Sequence, residues 1–595
     1  MLGGTPVEGT INRWVPLVAG MYLEVCGGSV YITSLYLTQL KDLWYPETSD
    51  ADFKMEQLVF ACNLGCWLPF AGLFFDSRYG GPLNTVLAGA VLNLLGYGGL
   101  WLCASHPGQP FGLLWFFWFL WGHGAGYFDC AVIATCAHNF PGSRGRVMGV
   151  VKAFYGLSGS LLTQLYRAFF SGPGQVPAFL LCLGIGQSAL ASAIGPFLRR
   201  TPSTGDKDSP AKRFVLGYSL VLALALLVMV ADLLRASIHS LQGSDKQARL
   251  YSAGVLSVTL FVLVLFPAMA WGGYVSPAHP LLPGAAAADP DAEAAAAAGK
   301  QQTGEADPLA GGGSDGSADA SPAWGVQAGS SVPLQEPPPV AAAQPSSLTD
   351  APLADSVRTL NYWLVFFTIF AGTGGGLVML NNLKTLVEAQ LEQPGGGGKA
   401  HAKNTSDVLV SLASVCNCFG RMAGGAGSDA LRDRVPRPVF LGGAAALMGV
   451  AHLMLLGARE EMLLYLGVCV GGLAYGSFWS LIPTLTGELF GMRSYASTYS
   501  SFAMAVSIGS LLLSTTMAAS IYDSHIMSLP SPPPLPPSPI GVLPPLAPAS
   551  ASPPPMSKRC YGNECYQVTH LVVVGLCALG SLSMAVLTAR TRDFY

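Results

Sequence analysis

Leu83–Cys103 reads LNTVLAGAVLNLLGYGGLWLC, 21 residues without one charge. A helix of about 20 apolar residues spans a bilayer's hydrocarbon core, because its backbone polar groups satisfy one another internally. Val15–Leu37, Leu113–Cys136, Phe214–Leu234 and Leu571–Leu587 repeat the pattern. Working outward gives about 14 spans: 13–38, 54–75, 83–104, 112–137, 146–170, 176–198, 213–235, 249–271, 359–382, 407–427, 438–457, 463–487, 494–521 and 567–589. If 213–235 and 249–271 form a re-entrant hairpin, the number falls to about 12. The expected fold class is an all-α polytopic membrane protein with the lipid bilayer as its main partner.

Composition agrees. Charged residues are 11% of the chain, against roughly 25% in soluble domains, and mean hydropathy is +0.44. The 71 glycines suit helices that pack closely without a hydrophobic force between them. A net charge of −3 offers nothing to a nucleic acid. The polar leader before Arg13 is too short to read as a cleavable signal.

Lys and Arg in the joints set the expected sidedness. Arg78, Arg144, Arg146, Arg199, Arg200, Lys207, Lys212, Arg213, Arg421, Arg432, Arg434, Arg437 and Arg493 fall on one side, with Arg590 and Arg592 on the tail. That puts both termini in the cytosol, although Lys384, Lys399 and Lys403 then lie outside. Residues 284–356, rich in Ala, Gly, Pro and Ser, cannot form a packed core and read as a disordered cytosolic linker. The Pro-rich stretch 529–555 should be extended on the outer side. The expected organisation is a six-helix bundle at 1–198, two additional helices at 199–271, a linker at 272–357, and a second six-helix bundle at 358–595 with an outer loop at 524–566. Cys560 and Cys565 would then face an oxidising compartment, where they form a local disulfide or remain two free thiols.

The chain repeats itself. Gly72, Asp76 and Arg78 in GLFFDSRYGG are matched by Gly425, Asp429 and Arg432 in GAGSDALRDR. Gly126, Phe128, Phe140 and Arg144 correspond to Gly476, Phe478, Phe490 and Arg493, the last after a one-residue adjustment. Two copies of a six-helix unit are the internal symmetry of many transporters. In each copy Gly lets a neighbouring helix approach, and Asp can accept hydrogen bonds from a helix N-terminus or an Arg across the interface.

Gly-x-x-x-Asp followed by Arg resembles the loop 2–3 signature of the major facilitator superfamily. It departs from that pattern because Arg78 follows Asp76 by two positions and the trailing basic pair is missing. NFPGSRGRVMGVVKAFYGLSGSLLTQLY at 139–166 resembles the nodulin-like family, a plant and algal branch of that superfamily. The likeness extends to NRWVPLVAGMYLEVCGGSVYITS at 12–34, NYWLVFFTIFAGTGGGLVMLNNL at 361–383 and GGLAYGSFWSLIPTLTGELFG at 471–491. It covers nearly all the membrane part and neither low-complexity insertion. The resemblance implies a two-bundle carrier working by alternating access, with spans 1 and 4 of each half lining a central cavity.

Ionisable groups at bilayer depth are functional candidates by default, because each costs several kcal/mol unless paired or wet. Glu24 lies in mid-span 1, Asp129 in the lower middle of span 4, and Lys152 near the start of span 5. A desolvated carboxylate at Glu24 or Asp129 could load and release a proton. Lys152 could pair with Asp129 or bind an anionic substrate. The structural alternatives are an Asp129–Lys152 salt bridge near the gate and Glu24 as a helix cap. His123 could join a relay or simply pack, and Asn381 and Asn382 could contact substrate or bridge helices. The run AGTGGGL at 371–377 could break its span or pack closely. Trp101, Trp115, Trp118 and Trp121 read as interface and lipid-facing aromatics.

No Gly-x-x-x-x-Gly-Lys-[Ser/Thr] loop occurs, which argues against an ATP-driven pump. No metal spacing or cofactor motif appears, and no enzyme activity is expected. The expected function is secondary transport of a small polar solute, an organic anion such as a monocarboxylate first, with proton coupling and a monomeric carrier. The competing class is a non-transporting sensor or scaffold that uses the linker to recruit partners.

Overall fold

The computed structural model describes residues 12–45, 51–201, 210–237, 245–270, 348–392, 398–457, 460–526 and 560–595. The Pro-rich stretch 529–555 lies outside them, as does all of the linker before residue 348. The described residues are helical, without a strand. In the first part run α1 (Trp14–Gly27), a 3₁₀ segment (Gly28–Ile32), α2 (Ser34–Trp44), α3 (Ala51–Trp67), α4 (Phe70–Asp76), α5 (Pro82–Ser105), α6 (Phe111–Asn139), α7 (Arg144–Leu165) and α8 (Val176–Ile194). Then come α9 (Pro210–Ser237) and α10 (Asp245–Val264). The second part holds α11 (Leu360–Asn381), α12 (Leu383–Leu391), α13 (Lys399–Ala430), α14 (Arg437–Leu456), α15 (Glu461–Leu489), α16 (Tyr495–Gly509), α17 (Ala519–Ser524) and α18 (Glu564–Arg590).

Among the described residues, twelve spans have both the length and the apolarity to cross a membrane. Helices α6 and α7 have the length without the apolarity, for a physical reason. Helix α6 lies inside its bundle, so Asp129, His123 and Thr135 are shielded by protein and not by lipid. The pair α9 and α10 is the reverse, with mean hydropathies of 2.6 and 2.3. Each is long and apolar enough to cross a membrane. Asp232 of α9 is bonded at 2.6 Å to Arg167, in the π-helical segment Tyr166–Phe170 that continues α7. Tyr22 of α1 donates to the Leu263 carbonyl of α10 at 2.7 Å.

In the first half, α6 packs on α1, α3 and α5; in the second, α15 packs on α11, α13 and α14. Gly126 and Gly476, paired by the internal repeat, make these contacts possible. A Cβ on either would lie 2.3 Å from the Cys66 carbonyl or 2.0 Å from the Asn417 carbonyl, closer than atoms can approach. The halves meet along α7 against α13 and along α3–α4 against α16. Trp14 touches Phe140 near one terminus, while Tyr595 donates to Glu488 near the other. Arg144, four residues past Phe140, lies against Gly487, so the two described ends share one end of the bundle.

The tryptophan expectation is corrected in part. Trp118 and Trp121 are fully buried, with the Trp121 indole donating to Ser29 Oγ at 3.2 Å, whereas Trp101 and Trp115 are half-buried. Helix α6 is enclosed on several sides, so its rings fill a core and do not mark an interface. The glycine run at 371–377 does not break α11. Gly372, Gly374 and Gly376 press against Phe478, Leu513 and Tyr475 instead.

Candidate functional site

The costly charges converge where the halves meet. Lys152 of α7 and Asp129 of α6 form a salt bridge, their side chains 1% and 3% exposed. The other Asp129 oxygen accepts from Tyr499 of α16, in the opposite half, at 2.9 Å. The Lys152 ammonium also lies 5.2 Å from the ring centres of Tyr155 and Trp479 and 5.4 Å from that of Tyr499. Aromatic faces replace part of the hydration it has lost. One ion pair is thus enclosed by side chains from both halves.

Glu24 of α1 is fully buried facing Asp129, Lys152 and Arg421, and neither carboxylate oxygen makes a hydrogen bond of full geometry. It caps no helix. The chain leaves α1 just beyond it through the 3₁₀ turn Gly28–Ile32, where Gly28 is pressed onto Ser158 and Tyr155 of α7. Mid-span 3₁₀ segments often mark hinges. A cavity of about 10 Å³ adjoins Asp129, Cys66, Trp67, Tyr499 and Ser500, room for about one water.

Arg421 corrects the sidedness count. It is not a joint residue but a fully buried side chain of α13 at this same centre. Its guanidinium donates to the Lys152 carbonyl at 2.5 Å, Asn417 Oδ1 at 3.0 Å and the Tyr31 hydroxyl at 3.2 Å. It lies 5.9 Å from the Trp479 ring centre and 6.0 Å from that of Tyr155. Tyr31, though it touches both halves, is 37% exposed. Among the described residues, no three His, Cys, Asp or Glu side chains form a metal site.

One end of the interface is latched twice. Asp76, ending α4, accepts from the Ser497 N–H at 2.8 Å and its hydroxyl at 2.7 Å, in the first turn of α16. Asp429, ending α13, accepts from the Gly145 and Arg146 N–H groups at 3.1 and 2.7 Å, in the first turn of α7. Each carboxylate therefore faces the positive end of a helix in the other half. Gly72 and Gly425 let the chains meet, since a Cβ on either would lie 2.2 Å from the Ala496 or Gly145 carbonyl.

The latches differ in support. Arg437 donates to Asp429 at 2.6 Å, Glu488 at 2.6 Å and Ser428 at 2.8 Å, and Arg432 lies 3.7 Å from Glu488. Asp76 lacks such a clamp among the described residues. Arg144 is buried with its Nε 3.4 Å from the Ala137 carbonyl, while Arg78 stacks on Tyr79 at 4.5 Å outside the latch. The described end of the linker is bound here as well. Leu348 N–H donates to the Glu488 carbonyl at 2.7 Å, Thr349 donates to the Leu489 carbonyl at 2.8 Å, and Asp350 accepts from the Met492 and Arg493 N–H groups at 2.8 and 2.9 Å.

Other candidates stand apart from the central cluster. His123 Nδ1 lies 2.9 Å from the Gly65 carbonyl, with its ring stacked on Phe119, which is a packing role. Asn381 and Asn382 donate to Ser514 at 3.1 and 3.3 Å and so bridge helices. A disulfide joins Cys560 and Cys565, whose Cα atoms are 5.8 Å apart.

A family model described as Nodulin-like matches residues 13–269, and one described as NFD4, C-terminal domain, matches residues 350–526. The chain is 23% identical to Protein NUCLEAR FUSION DEFECTIVE 4 of Arabidopsis thaliana, covering 99% of this chain and 90% of that protein. It is 26% identical to Probable transporter MCH1 of Yarrowia lipolytica, covering 35% of this chain and 38% of that protein. Among solved structures it resembles the major facilitator superfamily proton:xylose symporter XylE bound to 6-bromo-6-deoxy-D-glucose, with TM-score 0.51, 11% identity, and coverage of 98% of this chain and 95% of that one. With the latches and the repeat in place, the first half of the chain matches the nodulin-like family model, the second half matches the NFD4 C-terminal domain model, and the whole shares the fold of that major facilitator superfamily symporter.

Proposed function

We propose that this protein is a secondary active transporter that moves a small polar solute, an organic anion first, by alternating access coupled to protons. The observation that carries this reading is the charged cluster of Glu24, Asp129, Lys152 and Arg421, buried where the two halves meet. Such charges are retained at bilayer depth where they line a solute or proton pathway. The relatives named as transporters support the same class. On this reading residues 1–198 and 358–595 rock about the site, 199–271 add two helices, and 272–357 link the halves in the cytosol with both termini. The Asp76 and Asp429 latches hold the cytosolic end closed, and Tyr31 leaves the site reachable from the other end. Glu24 carries the proton, and the Asp129–Lys152 pair, tied across the interface by Tyr499, senses closure.

The strap formed by Leu348, Thr349 and Asp350 on the loop after α15 favours one second reading, a sensor whose linker responds to the state of that loop. Uptake into proteoliposomes, screened over organic acids, amino acids and sugars with and without a pH gradient, separates the two. A carrier takes up one solute class faster when the outside is acidic. Glu24→Gln should abolish that acceleration, and uptake of unchanged rate and pH dependence would reject the proton role. Unchanged behaviour on neutralising Glu24, Asp129 and Lys152 together would favour the sensor.

A further inference from the structure

The central charges do not cancel. Asp129 and Lys152 neutralise each other, but Arg421 is fully buried and each of its hydrogen bonds ends on a neutral acceptor. Among the described residues no carboxylate lies within ion-pair distance of it, and a guanidinium does not lose its proton inside a protein. Glu24 is the one remaining buried acid that faces it without a hydrogen bond of full geometry.

We propose that Arg421 binds the carboxylate of a monoanionic substrate while Glu24 carries one proton with it, making the protein an electroneutral, one-to-one symporter of a monocarboxylate and a proton. The proposal rests on the transporter reading above and gives it a substrate class and a stoichiometry.

Net charge decides which states can close. With Glu24 ionised and no substrate, Glu24 balances Arg421 and the four groups sum to zero. With Glu24 protonated and a monoanion on Arg421, the sum is zero again. A proton alone leaves one uncompensated positive charge, and an anion alone leaves one negative charge. Burying either against a low dielectric is unfavourable. The empty and doubly loaded carriers therefore close, and the singly loaded ones do not. A dianion leaves a negative charge even when Glu24 is protonated, and a neutral sugar moving together with a proton leaves a positive one.

Geometry supplies the recognition. Two arms of the guanidinium end on the Lys152 carbonyl in α7 and on Tyr31 in the 3₁₀ turn, both in the first half. A carboxylate accepts from such a planar fork more strongly than a carbonyl or a phenol does. Replacing those acceptors with substrate also loosens the tie between α13 and α7. The Asn417 contact at 3.0 Å, within α13 itself, keeps the guanidinium aimed. Tyr31 lies seven residues beyond Glu24 on the same span, so the proton site and the anion site share one hinge.

The test uses the purified full chain, with radiolabelled pyruvate and lactate as probes and succinate and glucose as controls. In proteoliposomes, pyruvate uptake should rise with outside acidity, carry one proton per pyruvate by an internal pH dye, and ignore a potassium–valinomycin voltage. In detergent, pyruvate should raise the melting temperature of the wild type and of Glu24→Gln but not of Arg421→Gln. Arg421→Lys, which keeps the charge and loses the fork, should bind about tenfold more weakly. Uptake that carries current, transport of succinate or glucose in place of pyruvate, or pyruvate binding by Arg421→Gln at wild-type strength each overturns the proposal and leaves the transporter reading standing. Arg421-dependent binding of pyruvate without transport of any solute supports the anion site and defeats the transporter reading instead.

Discussion

Asp129 ties the two halves together at the centre, because its two oxygens serve opposite halves through Lys152 and Tyr499. Asp129→Asn would leave Lys152 buried with aromatic faces but no counter-charge. Removing one partner of a buried pair typically costs about 3 to 5 kcal/mol, because an uncompensated charge remains. The variant should melt markedly lower in detergent, and Asp129→Asn with Lys152→Met should recover part of the loss; a double variant no more stable than the single would refute that account. These residues were legible in the sequence because ionisable groups are rare at depth. Arg421 was not, since an Arg in the last turns of a span can either snorkel to the surface or turn inward, and composition does not say which. Tyr31, Trp479 and Tyr499 were hidden for a different reason: aromatics are common throughout such chains, and only tertiary packing brings these three to one guanidinium and one ammonium.

The paired elements α4–α16 and α13–α7 were readable as Gly-x-x-x-Asp repeats, because close approach needs the glycine and a helix N-terminus welcomes the carboxylate. The spacing did not reveal the inequality between them. Asp429 is clamped by Arg437, itself held by Glu488, whereas Asp76 accepts from Ser497 with no Arg in ion-pair contact among the described residues. Asp429→Asn weakens two helix-terminus bonds and also deprives buried Arg437 of a partner. It should therefore open the latched end more than Asp76→Asn does. Labelling of a cysteine introduced at Ser143 would read the difference, and equal rates in the two variants would show that the clamp adds nothing. Gly72→Val should act like a broken latch without removing any charge, since its side chain would collide with the Ala496 carbonyl. The misread tryptophans belong to this scale too. Helix α6 is enclosed on several faces, so an aromatic run that resembles a membrane belt in one dimension fills a protein core in three.

Across the whole molecule, hydropathy and burial run in opposite directions, and that decides how many times the chain crosses. The two long helices outside the twelve apolar spans, α6 and α7, lie among other helices, while α9 and α10, with only 39% and 22% of their apolar windows buried, offer most of their surface to lipid. Counting by apolarity alone gives twelve spans, and adding the two shielded helices gives fourteen. Both totals are even, which agrees with the two described ends lying together. The totals differ in what they require of α9 and α10. Each is 25 residues long in its apolar part, about 37 Å at 1.5 Å per residue and enough to cross a 30 Å core. Two full-length helices separated by only residues 238–244 should therefore place that segment on the face opposite the termini. Gln242→Cys should react with an impermeant maleimide from the side opposite a C-terminal tag. Reaction from the tag's own side would mean that α9 and α10 lie along the membrane surface or turn back within it, and fourteen crossings would have to be given up.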